Sequence, residues 1–411
     1  MIPLAMLREH GRLLGFGFFM CLSSNFGQTF FISLFSADVR DAFGLSHGGF
    51  GTVYSTATIA SAAVLIWAGR VVDRIPLAAF AALVLGGIAV ASVLFGTAPD
   101  ALMLIPAIFM LRLFGQGLAT HTAMTAMGRY FDTHRGRAVS IASLGHPAGE
   151  AVFPIIAVTA LAAYGWRDIW WACAAIALGA LPVMLFLLKG HRERHAAFVA
   201  RRAETGADAS DFTLGQALRT AGLWLRLPAL LAPSFIGTGL IFHQVHMADV
   251  KGWSMTLVSG SFTAYAAMSV AAAILTGPLI DRFGARRVMT VFLTPMMLSA
   301  LSVALFTAPW AVPLYLGLLG TSAGVTVVLL GALWPELYGT AHLGAIRAFG
   351  QAAMVFSTGL APAAMGLMID AGIGFEAIAL GCALYCVVTS ALVLTANRTD
   401  AQTVTARSSR R

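Results

Sequence analysis

The sequence predicts an all-α protein that spans a membrane with twelve helices, arranged as two pseudo-symmetric six-helix bundles. Three observations lead to this fold class: a composition too apolar for a soluble protein, apolar segments of membrane length along the whole chain, and a polar motif that recurs at a fixed separation. Of the 411 residues, 58% are hydrophobic and 11% are charged. A soluble domain has about 25% charged residues, so most of this surface must contact lipid.

The apolar segments are each about 20 residues long, enough to cross a hydrocarbon core of about 30 Å. Spans exposed to lipid must pair their own backbone groups, so they are helices or a closed barrel. The apolar runs are continuous rather than alternating, which excludes a barrel. Polar residues separate twelve predicted spans: 13–36, 49–69, 77–96, 101–128, 138–163, 168–188, 227–248, 255–276, 288–306, 312–335, 344–369 and 375–395.

The polar connections predict the orientation of these spans. Basic residues concentrate in alternate connections, including the one from Lys189 to Arg226, whereas the opposite connections hold only Arg40, Arg167 and Lys251. Such a bias marks the cytoplasmic side. We therefore predict a multi-pass protein of the bacterial inner membrane with both termini in the cytoplasm. The same bias explains the net charge of +8 without a nucleic-acid partner.

The longest polar stretch divides the chain in the middle. It predicts an N-terminal bundle over 1–190, a cytoplasmic linker over 191–226, a C-terminal bundle over 227–397 and a cytoplasmic tail over 398–411. The four cysteines all lie inside predicted spans, where they are expected to be small core residues.

The two halves repeat at an offset of 208 residues. Glycines, prolines and charged residues coincide at this offset, which indicates a duplicated six-helix unit. The coinciding pairs include Gly44 with Gly252, Gly69 with Gly277, Asp73 with Asp281, Arg74 with Arg282, Tyr130 with Tyr338 and Pro154 with Pro362.

One polar motif carries a family resemblance. The segment GPLIDRFGARR at 277–287, with a partial copy GRVVDRIP at 69–76, resembles the signature loop of the major facilitator superfamily. The resemblance covers essentially the whole chain and implies a secondary transporter with that family's twelve-helix fold. Other segments look loosely like the bacterial members related to monocarboxylate and oxalate–formate carriers. We expect a monomer without a cofactor, whose partners are a small-molecule substrate, the bilayer and a coupling proton.

The resemblance also implies a conformational latch between the two halves. Asp73 would lie near Gly344 and Asp281 near Gly136, each carboxylate against the positive end of a helix dipole. These contacts would hold the outward-facing state. The first copy lacks the basic tail, so the second copy should anchor more strongly. The alternative is a purely structural turn. The latch residues are Gly69, Asp73, Arg74, Gly277, Asp281, Arg282, Gly284, Arg286 and Arg287.

Ionisable residues near the membrane midplane are the main candidates for substrate binding and proton coupling. Arg112 and Glu150 each lie about 16–18 Å along their predicted spans, and His146 precedes Glu150 by one helical turn. Arg112 lies in a segment similar to the span-four R-x-x-G-x-G pattern of the superfamily, where the arginine often binds substrate or couples protons. Two alternatives stay open: Arg112 binds substrate, or it pairs with Glu150.

Several uncharged or weakly basic residues complete the candidate set. Asn25 and Gln28 in span one could bind substrate or join helices. His243 and His246 in span seven are three residues apart, which favours a gating or substrate-contacting pair over a metal site because no third ligand is near. Gln351 lies in span eleven.

The predicted function is secondary active transport of a small organic solute by alternating access, with proton coupling through Glu150. A carboxylate is one candidate substrate. The alternatives are an efflux antiporter for drugs or toxic compounds and a solute sensor built on a transporter scaffold. The sequence contains no phosphate-binding GxxxxGK[ST] loop and no nucleophile–base arrangement, so we do not expect an enzyme.

Overall fold

The computed structural model describes residues 4–68, 75–131, 135–190, 212–338 and 343–408. The regular structure of these residues is helical throughout. The chain divides into two compact units, residues 1–207 and 208–411, and each is described by itself.

The described residues of the first unit form ten α-helices and two irregular helical segments. A 3₁₀ segment at Ser24–Gly27 follows α1, and a π-helical segment at Leu111–Ala119 separates α6 from α7. The helices are α1 (Leu4–Ser23), α2 (Thr29–Ser33), α3 (Ser36–Phe43), α4 (His47–Ala68), α5 (Leu77–Thr97), α6 (Ala101–Met110), α7 (Thr120–Tyr130), α8 (Arg135–Ser143), α9 (Gly145–Leu161) and α10 (Trp166–Leu187).

Nine α-helices are formed by the part of the second unit that the structure describes. They are α11 (Leu214–Ala217), α12 (Ala221–Phe242), α13 (Gln244–Lys251), α14 (Met255–Phe283), α15 (Ala285–Val288), α16 (Thr294–Leu305), α17 (Ala311–Tyr338), α18 (Leu343–Asp370) and α19 (Phe375–Ser408).

The two units repeat the same local structure at the offset found in the sequence. Helices α3 and α13 are each eight residues long and end at Gly44 and Gly252, whose φ angles are 62° and 67°. Only glycine adopts this left-handed conformation at little cost. The next helices, α4 and α14, begin 208 residues apart at His47 and Met255. The duplication predicted from the sequence is therefore present in the structure.

Fewer helices have the length and composition of a membrane span than the sequence predicts. The described residues contain nine helices long and apolar enough to cross a membrane, or ten if the bent pair 10–33 and 36–43 counts as one span. The other two predicted spans correspond to α4, which has 22 residues, and α16, which has only 12. Each predicted span overlaps helical structure, some of it divided between two helices, but the number twelve is not reached by these criteria.

The first predicted span is not one continuous helix. The chain leaves α-helical geometry at Ser24–Gly27, and Gln28 is extended with φ −80° and ψ 150°. A further bend of 65° separates Ser33 from Ser36. The apolar run of the sequence continues through these positions, which is why hydrophobicity alone predicts a single span.

Two boundaries in the second unit also differ from the sequence prediction. Helix α12 begins at Ala221, six residues before the predicted start, so Arg226 lies inside the helix and is 2% exposed rather than in a connection. Helix α14 continues to Phe283, so Gly277, Asp281 and Arg282 are helical. The turn of the signature segment occurs at Gly284, where φ is 81°.

Aromatic side chains fill the core of the first unit near one end of its helices. Trp170 of α10 is fully buried, and its ring centroid lies 4.6 Å from that of Phe95 and 5.4 Å from that of Phe31. Phe26 stacks on Phe153 of α9 with centroids 5.2 Å apart. Such pairs contribute beyond the area they bury, and they fix α9 and α10 against the broken first span.

Candidate functional site

Two irregular helical segments contact each other in the first unit. The 3₁₀ segment of the first span crosses the π-helical segment that follows α6, and glycine occupies the crossing on both sides. A Cβ atom on Gly27 would overlap the carbonyl oxygen of Leu111, and one on Gly115 would lie 2.7 Å from the Cα of Gly27. Any side chain would push the backbones apart, so both positions require glycine.

Arg112 lies at this crossing and is 1% exposed. Its Nη1 donates hydrogen bonds to the carbonyl oxygen of Gly27 at 3.0 Å and to Oγ1 of Thr29 at 3.3 Å. The guanidinium carbon lies 5.4 Å from the ring centroid of Tyr54, and the Tyr54 hydroxyl is 2.9 Å from the same Thr29 oxygen. Arg112 therefore joins the broken first span to α4 and to its own helix.

The opposite edge of the Arg112 guanidinium makes no hydrogen bond within the described part of the chain. Within the described residues, Nε and Nη2 are buried and have no hydrogen-bond partner. These two N–H groups point in the same direction and form the edge that binds a carboxylate through two parallel hydrogen bonds. A buried cation with unpaired donors is costly, so this edge is suited to an anion that is not part of the chain.

Glu150 does not neutralise Arg112 in this structure. It lies half-buried in α9, and no described residue forms an ion pair or a hydrogen bond with its carboxyl group. The pairing of Arg112 with Glu150, one of the two alternatives from the sequence, is therefore not found among the described contacts. An acidic group without a fixed partner can exchange a proton more readily than one locked in an ion pair.

His146 contacts the first span rather than Arg112. Its Nδ1 lies 3.1 Å from the hydroxyl oxygen of Ser24, which is also 2.7 Å from the carbonyl oxygen of Cys21. The single hydroxyl proton of Ser24 goes to the Cys21 carbonyl, which leaves the oxygen to accept from Nδ1. His146 and Glu150 are one turn apart on α9, so the hydrogen-bonded imidazole and the free carboxyl group lie on the same side of that helix.

Asn25 joins two helices. It is fully buried, and its Nδ2 donates to the carbonyl oxygens of Leu22 at 2.9 Å and Gly145 at 3.3 Å. A Cβ on Gly149 would overlap the Asn25 side chain, so the amide fits tightly against α9. These contacts favour the helix-joining role. Gln28 lies half-buried at the extended residue of the first span, and its side chain has no hydrogen bond within the described region.

The candidate residues of the second unit have separate environments. His243 is 3% exposed, and its Nε2 lies 3.1 Å from the carbonyl oxygen of Pro362 in α18. His246 packs beside the ring of Phe375 in α19, with centroids 6.2 Å apart. Gln351 is exposed. The described residues contain no group of three metal-binding side chains, so the histidine pair lacks a third ligand there.

The second signature segment is held by a residue that sequence reasoning missed. Glu336 at the end of α17 accepts hydrogen bonds from the backbone N–H groups of Ala285 at 2.6 Å and Arg286 at 3.3 Å. A carboxylate at a helix N-terminus interacts favourably with the helix dipole. The Arg286 guanidinium also donates to the Glu336 carbonyl oxygen at 3.3 Å. Glu336 therefore caps the short helix α15.

Asn397 extends this network to two further helices. Its Oδ1 accepts a hydrogen bond from Nη2 of Arg226 at 2.7 Å, and its Nδ2 donates to the carbonyl oxygen of Arg286 at 3.0 Å. Asn397 thus connects the start of α12, the turn after α14 and the end of the apolar part of α19. The exposed side chains of Asp281, Arg282 and Arg287 lie on the surface beside this network.

The first signature copy lies outside the described residues. Gly69, Asp73 and Arg74 are therefore not placed, and the latch between the halves stays a prediction. Sequence reasoning could have found Glu336, since an acidic residue next to Pro335 at the end of a predicted span is unusual. No sequence signal links Thr29 and Tyr54 to Arg112, because neither residue is charged and both lie far from it along the chain.

Comparisons with known proteins agree with this architecture. The sequence model of a family described as the Major Facilitator Superfamily matches residues 17–260 and 234–410. The probable sulfoacetate transporter SauU of Cupriavidus necator is 29% identical over 201 residues, which are 48% of this chain. The chain thus spans about half the length of this relative, 45% of it.

Solved structures show the same fold at low sequence identity. The nucleoside transporter NupG, in a D323A mutant, matches with a TM-score of 0.72 at 13% identity and covers 95% of this chain and 99% of that one. A bacterial homologue of the human lysosomal transporter Spinster, in an inward-facing and unoccupied conformation, matches with a TM-score of 0.66 at 17% identity and covers 95% and 97%. The chain belongs to the major facilitator superfamily of membrane transporters.

Proposed function

We propose that this transporter carries a small organic anion, a carboxylate or a sulfonate, and that Arg112 binds its charged group. The observation that carries this proposal is the free edge of the Arg112 guanidinium, with Nε and Nη2 buried and without partners among the described residues. Two parallel N–H groups match two oxygens of one oxyanion. Nη1 is already engaged with Gly27 and Thr29, which holds the free edge in a fixed orientation.

The positions of ionisable residues in the two halves support a single charged contact with the substrate, made by the first unit. The position 208 residues after Arg112 is Gly320, and the position 208 residues after Glu150 is Thr358. The second unit therefore lacks counterparts of both ionisable residues. If Arg112 binds the anionic group of the substrate, uncharged groups of the protein would contact the rest of the substrate.

The relative named as a sulfoacetate transporter agrees with this chemistry. Sulfoacetate carries a sulfonate and a carboxylate, and each is an oxyanion that a guanidinium edge can hold. The match spans about half of either chain. It supports a small oxyanion as the class of substrate.

Access to Arg112 requires a conformational change. The arginine is 1% exposed and Tyr54 lies over its guanidinium, so a solute reaches the free edge only when the surrounding helices move. We propose that alternating access provides this movement. Residues that differ between the two states would include Tyr54 and the broken first span, because they form the cover.

We further propose that Glu150 couples a proton to transport. Its carboxyl group lies within the membrane region without an ion-pair partner among the described residues, and such groups are costly unless they change protonation during the cycle. We place both termini in the cytoplasm of a bacterial cell because basic residues concentrate in the connections on that side. The functional unit in this proposal is a monomer.

The test is uptake into proteoliposomes containing the purified chain, with and without an imposed pH gradient. Small carboxylates and sulfonates are compared with neutral amides and esters of the same shape. We expect the anions to accumulate with the gradient and to compete with one another, whereas the neutral analogues should not compete. Preferential extrusion of cationic or neutral amphipathic compounds would instead support the efflux antiporter.

A further inference from the structure

A groove separate from the Arg112 site runs between α9 and α10 of the first unit. It encloses a volume of about 460 Å³. The stacked rings of Phe26 and Phe153 form part of its wall. Its other lining residues are apolar, apart from Tyr164 and Asp168 and the thiol of a buried cysteine. The groove is therefore built to hold a hydrocarbon group.

The rim of this groove is exposed on the surface of the protein. Ile156 of α9 and Ile176 of α10 line it, and each is 59% exposed. In a membrane protein, exposed isoleucines on opposite walls of an apolar groove contact lipid chains rather than water. The opening is therefore directed to the bilayer, which is the most abundant source of hydrocarbon for it.

The polar residues of the groove lie together at one end. Tyr164 lies in the turn that connects α9 to α10, and Asp168 lies in the first turn of α10, where the chain reaches the membrane surface. Tyrosine is enriched at the level of lipid headgroups. From Asp168 to Ile176 the groove follows α10 for about 12 Å, which is close to the half-thickness of a hydrocarbon core of about 30 Å.

Asp168 is the one charged residue among the described residues that line the groove. The neighbouring cation, Arg167, does not line the groove: its guanidinium lies 4.4 Å from the ring of Trp166 and donates to the carbonyl oxygen of Ala98 at 3.4 Å. One oxygen of Asp168 accepts from the N–H of Gly165 at 3.3 Å. The carboxylate thus stands at headgroup level with its charge uncompensated by that arginine.

We propose that this groove is a binding site for a bilayer phospholipid whose headgroup carries an ammonium group. One acyl chain lies along Phe153, Ile156 and Ile176, and the ammonium group contacts the Asp168 carboxylate. An anionic headgroup without an amine would place its phosphate near that carboxylate and would be repelled. Phe26 follows Asn25 in the chain, and Phe153 lies one helical turn from Gly149. The lipid chain therefore packs beside the contact between Asn25 and Gly149, which supports the Arg112 site.

The test uses the full chain, purified in detergent and freed of native lipid. Dioleoyl phosphatidylethanolamine and dioleoyl phosphatidylglycerol are added in equal amounts, and bound lipid is counted by native mass spectrometry. We expect phosphatidylethanolamine to be preferred about fivefold, the factor that corresponds to about 1 kcal/mol per charge near a membrane surface. Asp168→Asn should remove this preference, whereas Asp249→Asn, a change at an exposed carboxylate of the second unit, should keep it.

The acyl-chain contact is tested separately by filling the groove. Ala172→Trp on α10 should abolish binding of phosphatidylethanolamine, whereas Leu178→Trp, an exposed position of the same helix that does not line the groove, should retain it. Ala160→Phe fills the groove from α9 and serves if Ala172→Trp does not fold. Equal binding of the two lipids by the unmodified chain would overturn the headgroup assignment. Undiminished binding in both filled variants would overturn the site.

Discussion

The Nη1 atom of Arg112 donates a hydrogen bond to the carbonyl oxygen of Gly27 at 3.0 Å, at the point where the first span leaves α-helical geometry. The helical pattern of backbone hydrogen bonds is interrupted there, since the N–H of Phe31 donates to the carbonyl oxygen of Gln28 rather than to that of Gly27. The arginine therefore supplies a donor to a carbonyl exposed by the break. The same contact orients the free edge of the guanidinium, so the broken helix and the proposed anion site depend on each other.

Arg112→Lys should weaken substrate binding by about 1.5–3 kcal/mol, the usual contribution of a hydrogen bond to a charged group. An ammonium group can replace the bond to Gly27 but cannot present two parallel N–H groups to an oxyanion. Binding of a transported carboxylate or sulfonate by the purified variant is the measurement. Ester or amide analogues should bind poorly to the unmodified protein and equally poorly to the variant.

A double variant distinguishes this role from a structural one. If Arg112 were only the partner of Glu150, adding Glu150→Gln to an Arg112 variant would restore expression and stability, because no buried charge would be left alone. We expect no rescue, since the described contacts place no ion pair between the two residues. Full rescue, with the charge of the analogue immaterial, would contradict anion binding by Arg112.

Gly27→Ala should destabilise the protein by about 1–3 kcal/mol, the range for overpacking in a closely packed interior. The added methyl group would overlap the carbonyl oxygen of Leu111 and force apart the crossing that positions Arg112. Thermal unfolding in detergent measures the change. Gly86→Ala in α5 is the matched control, because a Cβ there meets no atom within 4 Å. An equal effect of both substitutions would argue against the crossing as the cause.

The sequence predicts the helices and their repeat, but it predicts neither the break in the first span nor all of the site. Continuous apolar runs predict the helices because each run forms its own helix. Paired glycines such as Gly44 and Gly252 predict the repeat because each one ends the helix that precedes it. The break at Ser24–Gly27 is not visible in hydrophobicity, since it depends on a contact with Leu111 and Gly115 from a distant helix. The position of Glu336 at the end of a span is visible in the sequence, but its capping role is not, because its partners in α15 lie about 50 residues away along the chain.

Glu150→Gln should abolish accumulation driven by a pH gradient while leaving substrate exchange intact. The amide has nearly the same shape but cannot take up a proton, so a coupled cycle would stop whereas binding at Arg112 would continue. Uptake and exchange by the same proteoliposomes measure the two activities side by side. Gradient-driven accumulation at the unmodified level in this variant would remove Glu150 from the coupling mechanism.

Glu336→Ala should destabilise α15 by about 1 kcal/mol, the typical cost of removing a helix cap. The N–H groups of Ala285 and Arg286 would lose their acceptor, so hydrogen exchange at residues 285–288 should accelerate. Asp249→Asn is the control for removal of an exposed carboxylate outside this network. Unchanged exchange in Glu336→Ala would show that water or another group caps the helix equally well.

Asp281→Asn should shift the protein towards its inward-open state more than Asp73→Asn. The latch requires a carboxylate. The sequence of the second signature copy combines it with the basic residues Arg286 and Arg287, and Glu336 anchors the turn of that copy. Asp281 is exposed on the last turns of α14, so the substitution disturbs no core packing. A shift in conformation would then result from the loss of the negative charge at Asp281.

Distances between spin labels can report this shift. Pairs at exposed positions, Tyr164 with Leu305 and Lys189 with Trp224, sample opposite ends of the helices in each unit. The four native cysteines are buried, so labelling should occur mainly at the introduced sites. In Asp281→Asn we expect the distance at the cytoplasmic end to increase and the other to decrease. A larger change in Asp73→Asn would reverse the assignment, because the copy without a basic tail would then be the stronger anchor.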